Sequence, residues 1–204
     1  MMKAEIKSYS LQRIQEFALI PEARKVLLER IAKYINEKQD QDAPIQLMYV
    51  CTHNSRRSHF GQLWGAVAAN YCGVENIKTY SGGTEATAFH RNVLYTLENI
   101  GFDVTTGDHS KNQKYTILFG ENTSILCYSK LYDAPENPKA NFVAIMTCSD
   151  AEENCPFIPG VELRVATTYE DTKIFDGTDL ESEKYAERCA QIARENLYVF
   201  SLVD

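Results

Sequence analysis

The sequence predicts an α/β fold in which a doubly wound, mostly parallel sheet of four strands is covered by helices. From residue 45 onward, apolar segments of strand length alternate with segments of helical periodicity, a pattern typical of parallel sheets. The segment at 142–147 is continuously apolar, as in a strand that is buried on both faces. Ligands bind such sheets at the carboxyl ends of the strands, so we expect the site in the loops that follow them.

Residues 1–44 are predicted to form a helical N-terminal extension, and residues 45–204 are predicted to form the main domain. Ser10 is expected to cap a first helix. Pro21 suits the first turn of a second helix. The polar residues 38–42 then predict a solvated linker. We expect the two helices to pack on the main domain or on a second subunit.

The main domain carries clear boundary signals. Predicted strands occupy residues 45–50, 77–81, 142–147 and 161–166, and predicted helices occupy 58–71, about 88–100 and the C-terminal segment. Gly73 and Gly101 follow two of these helices, where glycine commonly ends a helix in a left-handed conformation. Thr178 and Glu181 have the spacing of a capping box, which begins the last helix. Residues 115–128 predict an inserted β-hairpin.

Composition limits the classes of function. The chain has 204 residues, of which 44% are hydrophobic and 24% charged, as in an ordinary globular domain. It shows neither an apolar run of the ~20 residues that span a membrane nor the apolar core of a signal peptide, so we expect a cytoplasmic protein without membrane contact. The net charge of −7 provides no basic field for nucleic acid. An anionic ligand must therefore be held by a local trap.

The most informative segment is residues 51–58, which read Cys-Thr-His-Asn-Ser-Arg-Arg-Ser between a predicted strand and a predicted helix. Loop amides and a helix N-terminus attract an oxyanion. A cysteine held there loses its proton more readily than a free cysteine and becomes a nucleophile. Arg57 can clamp the oxyanion with two parallel hydrogen bonds. Ser58 can cap the helix and donate a hydrogen bond to the thiolate.

The six cysteines divide into two groups. No two of these cysteines have the C-x-x-C spacing of a typical zinc site, so we expect no metal site. Three cysteines lie in apolar patterns and are predicted to be core residues: Cys72, Cys127 and Cys189.

Cys148 and Cys155 instead lie among polar and turn residues. Ser149 and Glu152 have capping-box spacing, so a short helix should begin at 149 and leave Cys148 just before its N-terminus. Pro156 disfavours helix at the residue before it, which limits this helix to about two turns.

These segments resemble a known family. Residues 51–58 match the C-x5-R-S loop of low-molecular-weight protein tyrosine phosphatases, whose fold is shared by thioredoxin-coupled arsenate reductases. Residues 147–156 resemble the redox-cysteine segment of those reductases, which simple phosphatases lack. The resemblance covers residues 45–204. It implies an arsenate reductase that uses no cofactor, although such reductases often bind potassium near the loop, where Gln62 replaces an expected acidic ligand.

The resemblance also implies a role for each site residue. Cys51 attacks arsenate, and Asp171 protonates the leaving oxygen. The oxyanion is held by Thr52, His53, Asn54, Ser55, Arg56 and Arg57. Cys148 then attacks Cys51 and releases arsenite, and Cys155 attacks Cys148, which leaves a disulfide for thioredoxin to reduce. In a helix the α-carbons of these last two cysteines are ~10 Å apart, beyond the ~7 Å limit of a disulfide, so the helix must unwind.

The sequence departs from the family pattern at several positions. His53 stands where glycine is usual, and Arg56 stands where cysteine is frequent. Asp171 is followed by threonine instead of proline. Glu170 and Asp176 are therefore alternatives for the general acid.

Two other functions remain open. The first is a phosphatase that hydrolyses phosphotyrosine or small phosphoesters through a phosphocysteine on Cys51, with Cys148 and Cys155 in structural roles. The second is a binding module that holds an oxyanion without turnover. His53 and the missing proline after Asp171 are the reasons for considering it.

The remaining polar residues of the region receive structural roles. Asn54 is expected to fix the loop backbone, because asparagine tolerates positive φ better than most residues. His59 and His90 are expected on helix surfaces, and His109 is expected in a loop.

Overall fold

The computed structural model describes residues 1–107, 109–154 and 157–204. The helices are α1 (Ala4–Gln15), α2 (Glu22–Asp40), α3 (Arg57–Cys72), α4 (Arg91–Ile100), α5 (Ser149–Asn154) and α6 (Glu181–Ser201). The strands are β1 (Ile45–Cys51), β2 (Ile77–Gly83), β3 (Asp103–Thr106), β4 (Tyr115–Gly120), β5 (Thr123–Cys127), β6 (Phe142–Met146) and β7 (Val161–Ala166).

The central sheet contains four parallel strands in the order β2-β1-β6-β7, which confirms the predicted fold class. Along β1, side chains alternate between the two faces. Leu47 and Tyr49 join a core formed with α2, α3 and α6. Met48 and Val50 join a second core beneath α5. Cys51 is the last residue of β1 and pairs with Gly83, the last residue of β2, so the predicted site lies at the carboxyl edge of the sheet.

A second, antiparallel sheet has the order β3-β4-β5. The predicted hairpin is confirmed as β4 and β5. The sequence analysis missed β3, because its four residues Asp-Val-Thr-Thr include a single apolar side chain and give no strand pattern. Pairing with β4 decides its conformation instead.

The first helix begins earlier than predicted. It starts at Ala4, because the amide of Lys3 donates to the carbonyl of Phe119 and attaches the chain start to β4. The predicted cap at Ser10 is wrong. Its buried hydroxyl lies inside the helix and donates to the carbonyl of Ile6 at 2.8 Å, a bond that satisfies serine within a helix.

The second helix is longer than predicted. Pro21 precedes α2 as its N-cap residue instead of lying in its first turn. The helix continues to Asp40, so the predicted linker at 38–42 is wrong for its first three residues. Lys38 explains the extension, since its ammonium forms an ion pair with Glu162 of β7 at 2.8 Å. Both N-terminal helices contribute side chains to cores shared with the sheet or with α6.

The last helix, of 21 residues, begins at Glu181 without a side-chain cap on Leu180. The predicted capping box is wrong in register: the Glu181 carboxylate accepts from the amide of Gly177 at 2.6 Å, and the Thr178 hydroxyl accepts from Leu180 at 3.3 Å. The two predicted glycine ends are confirmed, with left-handed backbone at 73 and 101. Within the described parts of the chain, no helix combines the length and apolarity needed to cross a membrane.

Candidate active site

The cysteine loop connects β1 to α3 and is held from outside by the segment that follows β2. Three backbone amides of that segment donate to loop carbonyls: Thr84 to Cys51 at 3.2 Å, Glu85 to Thr52 at 2.8 Å, and His90 to Ser55 at 3.1 Å. Gly83 permits this approach, because a β-carbon there would lie 2.6 Å from the carbonyl oxygen of Thr52. The loop is therefore shaped by its neighbour in the sheet as well as by its own sequence.

Cys51 is 3% exposed, and its sulfur lies 3.0 Å from the hydroxyl of Ser58. The Asn54 side chain donates to that hydroxyl at 2.8 Å, which leaves the Ser58 proton for the sulfur. Asn54 has φ 44° and accepts from the amide of Lys130 at 2.9 Å. The expectation that Asn54 fixes the loop backbone is confirmed.

The predicted helix cap at Ser58 is wrong. Helix α3 begins one residue earlier, at Arg57, and its N-cap position is Arg56 without a side-chain cap. The Ser58 hydroxyl is occupied by Asn54 and the Cys51 sulfur. The Ser58 hydroxyl thus contacts the Cys51 sulfur and does not cap the helix.

Arg57 joins the cysteine loop to the segment after β7. Its side chain is 11% exposed. Nη1 donates to the backbone carbonyl of Tyr169 at 2.9 Å, and Nη2 donates to Oδ2 of Asp171 at 2.7 Å. Sequence analysis missed Tyr169, because a contact through a backbone carbonyl leaves no mark on residue type. The structure brings Asp171 to the loop as predicted.

The two alternative acids are engaged elsewhere. Glu170 is 88% exposed in its side chain and pairs with Arg188 at 3.2 Å. Asp176 accepts from Arg56 at 2.5 Å and from the hydroxyl of Tyr185 at 2.7 Å. Among the three predicted carboxylates, these contacts leave Asp171 as the one on the Arg57 guanidinium.

Arg56 turns its guanidinium toward Asp176 and Tyr185, so its backbone amide is what it can offer to an oxyanion. His90 lies at the same cluster, with Nε2 at 3.5 Å from Asp176. It caps α4 by accepting from Asn92 at 3.4 Å. Burial, together with the charge of Arg56, lowers the pKa of His90. The expectation of a helix-surface role for His90 is wrong.

Cys148 is 1% exposed and lies against the loop residue that follows Cys51. Its sulfur is 3.4 Å from the Thr52 hydroxyl. Thr52 donates to Asp150 at 2.7 Å, and this hydrogen bond lowers the pKa of the Asp150 carboxyl. Cys51 and Cys148 belong to the same buried cluster. Sequence analysis missed Asp150, although it stands in the first turn of the predicted helix.

The short helix after Cys148 begins at residue 149 and ends at Asn154, so its start and its limited length are confirmed. Its predicted capping box is wrong. The Cys148 sulfur accepts from the amide of Ala151 at 3.4 Å, and the Glu152 carboxylate binds Arg164 at 2.9 Å. The prediction for Cys155 falls outside the described residues, as does Pro156.

A buried polar layer underlies the loop. His59 is 0% exposed, which contradicts its expected place on a helix surface. It stacks on Phe89 at 4.0 Å and lies 3.4 Å from Ser81; burial and the nearby Lys130 lower its pKa to about 3. Gln62 accepts from Ser81 at 2.6 Å. In the described ranges, no group of three or more His, Cys, Asp or Glu side chains is placed to hold a metal ion.

The chain matches no protein-family model. It is nevertheless similar to known proteins in sequence and in fold. It is 29% identical over 140 residues to an arsenate reductase of Bacillus subtilis, across 69% of this chain and 81% of that protein. It is 28% identical over 113 residues to an arsenate reductase 2 of Staphylococcus epidermidis, across 55% of this chain and 67% of that protein. A solved low-molecular-weight phosphotyrosine phosphatase of Vibrio cholerae has the same fold, with TM-score 0.52 and 14% identity over 77% of this chain and 95% of that one.

The chain is similar in sequence to arsenate reductases and has the fold of a low-molecular-weight phosphatase. The predicted resemblance to the low-molecular-weight phosphatases and their arsenate reductase branch is thereby confirmed. The protein is an enzyme of this kind.

A groove with several basic side chains in its lining opens beside the cysteine loop. Its volume is about 710 Å³. Basic side chains among its lining residues are His53, Arg56, His90, Arg91 and Lys173. Arg56 is paired with Asp176 and the pKa of His90 is lowered, so Arg91 and Lys173 are the positive charges that set this groove apart from a protein of net charge −7.

Replacement of Gly83 by alanine is expected to distort the loop, because the new β-carbon would lie within 3 Å of three backbone atoms, on Glu85, Thr52 and Asn54. We expect the free energy of unfolding to fall by ~1–3 kcal/mol, as measured by urea denaturation. The matched control is Gly107→Ala, where a β-carbon meets nothing within 4 Å. Equal stability of the two variants would contradict the close packing of the loop on β2.

Proposed function

We propose that the protein reduces arsenate to arsenite, with Cys51 as the nucleophile, Cys148 and Cys155 as the redox pair, and thioredoxin as the reductant. The observation that carries this proposal is the second buried thiol: the Cys148 sulfur lies 3.4 Å from Thr52, the residue after Cys51. Hydrolysis requires no such thiol, whereas reduction of a thiol-bound arsenate does. The names of the curated relatives support the same activity.

In the first step, the Cys51 thiolate attacks arsenic and an oxygen of arsenate leaves as water. Ser58 donates to the sulfur in the resting enzyme. Arg57 and the amides of residues 52–57 hold the remaining oxygens, where fixed donors act on the charge of the transition state. Asp171 lies on Arg57, and in its protonated form it supplies the proton that the leaving oxygen needs.

In the second step, the Cys148 thiolate attacks the Cys51 sulfur. A Cys51–Cys148 disulfide forms, the electron pair of the sulfur–arsenic bond passes to arsenic, and arsenic is reduced from the +5 to the +3 state as arsenite leaves. The Cys155 thiolate then attacks Cys148, which releases Cys51 as a thiolate. Two electrons from the thioredoxin dithiol finally reduce the Cys148–Cys155 disulfide.

In this scheme α5 opens when the disulfide forms, because it occupies residues 149–154 between the two cysteines and residues seven apart in a helix are beyond the reach of a disulfide. Helix α5 has six residues, and so short a helix has little stability of its own in water. It is held by specific contacts, among them the bonds of Thr52 to Asp150 and of Arg164 to Glu152. Loss of the Cys148 contact with Thr52 on disulfide formation would release part of this support.

The reaction belongs to residues 45–204, and we place it in the cytoplasm, where thioredoxin keeps thiols reduced. A phosphatase is the second candidate, because Asp171 beside the Arg57 guanidinium equally suits protonation of an alcohol leaving group. In that reaction water hydrolyses a phosphocysteine on Cys51. An oxyanion-binding module without turnover is the third.

Cys51→Ser should abolish arsenate reduction and phosphoester hydrolysis while tungstate binding persists, because a hydroxyl is a far weaker nucleophile than a thiolate. Iodoacetamide should modify Cys51 faster than Cys72 at pH 7 despite the burial of Cys51, as measured by peptide mass spectrometry. Cys72 is the internal reference, because it is exposed and its pKa is raised by desolvation of the sulfur; its predicted place in the core is wrong. Faster labelling of Cys72 would contradict every enzymatic assignment of Cys51.

Asp171→Asn should lower turnover by ~10²-fold or more, as expected for loss of a general acid, with the affinity for tungstate retained or increased. Steady-state kinetics with arsenate and with p-nitrophenyl phosphate measure the effect. Glu170→Gln is the matched control, because Glu170 is exposed and pairs with Arg188. A large loss in the Glu170 variant alone would show that the acid is misassigned.

Cys148→Ser should preserve hydrolysis of p-nitrophenyl phosphate and stop thioredoxin-coupled arsenate reduction after at most one turnover. Cys155→Ser should stop one step later and accumulate a Cys51–Cys148 disulfide, detectable by peptide mapping. The double comparison separates the two leading functions, since hydrolysis uses water where reduction uses a second thiol. If the wild type with thioredoxin and its reductase leaves arsenate unreduced but hydrolyses the phosphoester, the phosphatase is the correct function.

A further inference from the structure

An arginine of the N-terminal extension reaches the segment that holds Arg57. Arg24 of α2 donates from Nη2 to the backbone carbonyl of Thr167 at 2.9 Å, and from Nε to Glu195 of α6 at 2.9 Å. Its guanidinium carbon lies 4.7 Å from the centre of the Tyr169 ring. The side chains of Arg24 and Glu195 are 15% and 3% exposed. Helix α2, helix α6 and the segment after β7 thus meet at an ion pair with little solvent exposure.

Tyr169 connects this ion pair to the active site. Its hydroxyl donates to Glu195 at 2.7 Å, and its amide donates to Thr147 at 3.1 Å. Its own carbonyl accepts from Arg57 at 2.9 Å. The side chain that Arg24 covers and the carbonyl that Arg57 binds therefore belong to the same residue, and a shift of one moves the other.

We propose that Arg24 is a positioning residue for oxyanion binding: with Glu195 it fixes Tyr169, and Tyr169 in turn orients the guanidinium of Arg57. The proposal rests on the proposed function in assigning oxyanion binding to Arg57. It gives the N-terminal extension a part in the active site, although no residue of the extension touches the reacting atoms in this scheme.

A contribution to folding stability is a poor explanation for the ion pair of Arg24 and Glu195. Removing two charges from water costs about as much as their attraction returns, so apolar replacements of a buried pair are often neutral or stabilising. The fork of Arg24 instead fixes geometry, because two of its donors bind acceptors on different elements while its plane covers Tyr169. A lysine has one charged centre and cannot make this set of contacts.

The chain offers a matched control on α6, the helix that carries Glu195. Arg194 of α6 forms an ion pair with Glu16 at 3.1 Å, and the two side chains are 16% and 30% exposed. This ion pair also joins the N-terminal extension to α6, but it does not involve the segment of Thr167, Tyr169 and Asp171. Its loss tests the attachment of the extension without touching the support of Arg57.

The experiment compares Arg24→Met with Arg194→Met in the full-length chain. Tungstate, a tetrahedral oxyanion, is titrated against the rate of Cys51 alkylation by iodoacetamide, at a temperature well below both thermal unfolding midpoints. We expect Arg24→Met to weaken protection by tungstate about tenfold, in the range seen for residues that act on a site without touching its ligand. Arg194→Met should protect as the wild type does. Arg24→Lys should fall between Arg24→Met and the wild type.

Equal tungstate affinity in the wild type and in Arg24→Met overturns the proposal, as does equal weakening by Arg194→Met. If Arg24→Met does not fold, Arg24→Lys decides by the same measurement, with wild-type affinity as the contradicting result. A wild type that binds tungstate but leaves arsenate unreduced refutes the proposed function and still permits the comparison of variants. Absence of tungstate protection in the wild type overturns both.

Discussion

The candidate site depends on the hydrogen bonds that hold the guanidinium of Arg57. Its guanidinium is bound by the carbonyl of Tyr169 and the carboxylate of Asp171, which come after β7, while Arg57 itself begins α3 at the end of the loop after β1. Parallel strands end at the same edge of the sheet, so two segments more than a hundred residues apart converge there. The buried β1 strand and its pairing with β6 set the distance between them, and the core beneath α2 and α6 holds that spacing.

Under the proposed function, the site must attract an oxyanion although the whole protein repels anions. At a net charge of −7, long-range steering of an oxyanion is unfavourable, and exposed charges are screened beyond about 8 Å at physiological salt. The loop compensates locally with backbone amides, the start of α3 and the guanidinium of Arg57. The basic groove adjoining the loop extends this favourable region over about 710 Å³, so selection of ligand depends on short-range contacts.

The segments that carry Cys51 and Cys148 are held by different kinds of contact. The loop of Cys51 is fixed by bonds from the segment after β2 and by the Asn54 contacts with Ser58 and Lys130. A fixed nucleophile and fixed donors avoid reorganisation during the first step. Cys148 instead precedes a six-residue helix held by a few side-chain bonds. Under the proposed mechanism Cys148 forms two successive disulfides, and a thiol with that role is better placed before such an element than within a long helix.

The sequence by itself determined the features that depend on neighbouring residues. The four parallel strands, the helix ends at Gly73 and Gly101, the cysteine loop and the short helix from residue 149 follow from local hydrophobic pattern, backbone preference and residue spacing. Side-chain partners across the chain were decided by the tertiary structure. Ser10 and Ser58 are residue types that favour helix caps, yet both lie inside helices, where the Ser10 hydroxyl donates to the carbonyl of Ile6 and the Ser58 hydroxyl contacts the sulfur of Cys51. The sequence favoured Asp171 as the acid but left Glu170 and Asp176 as alternatives. The structure separates them, because Asp171 pairs with Arg57, Glu170 with Arg188 and Asp176 with Arg56. Such pairing depends on the folded arrangement of the elements and not on separation along the chain.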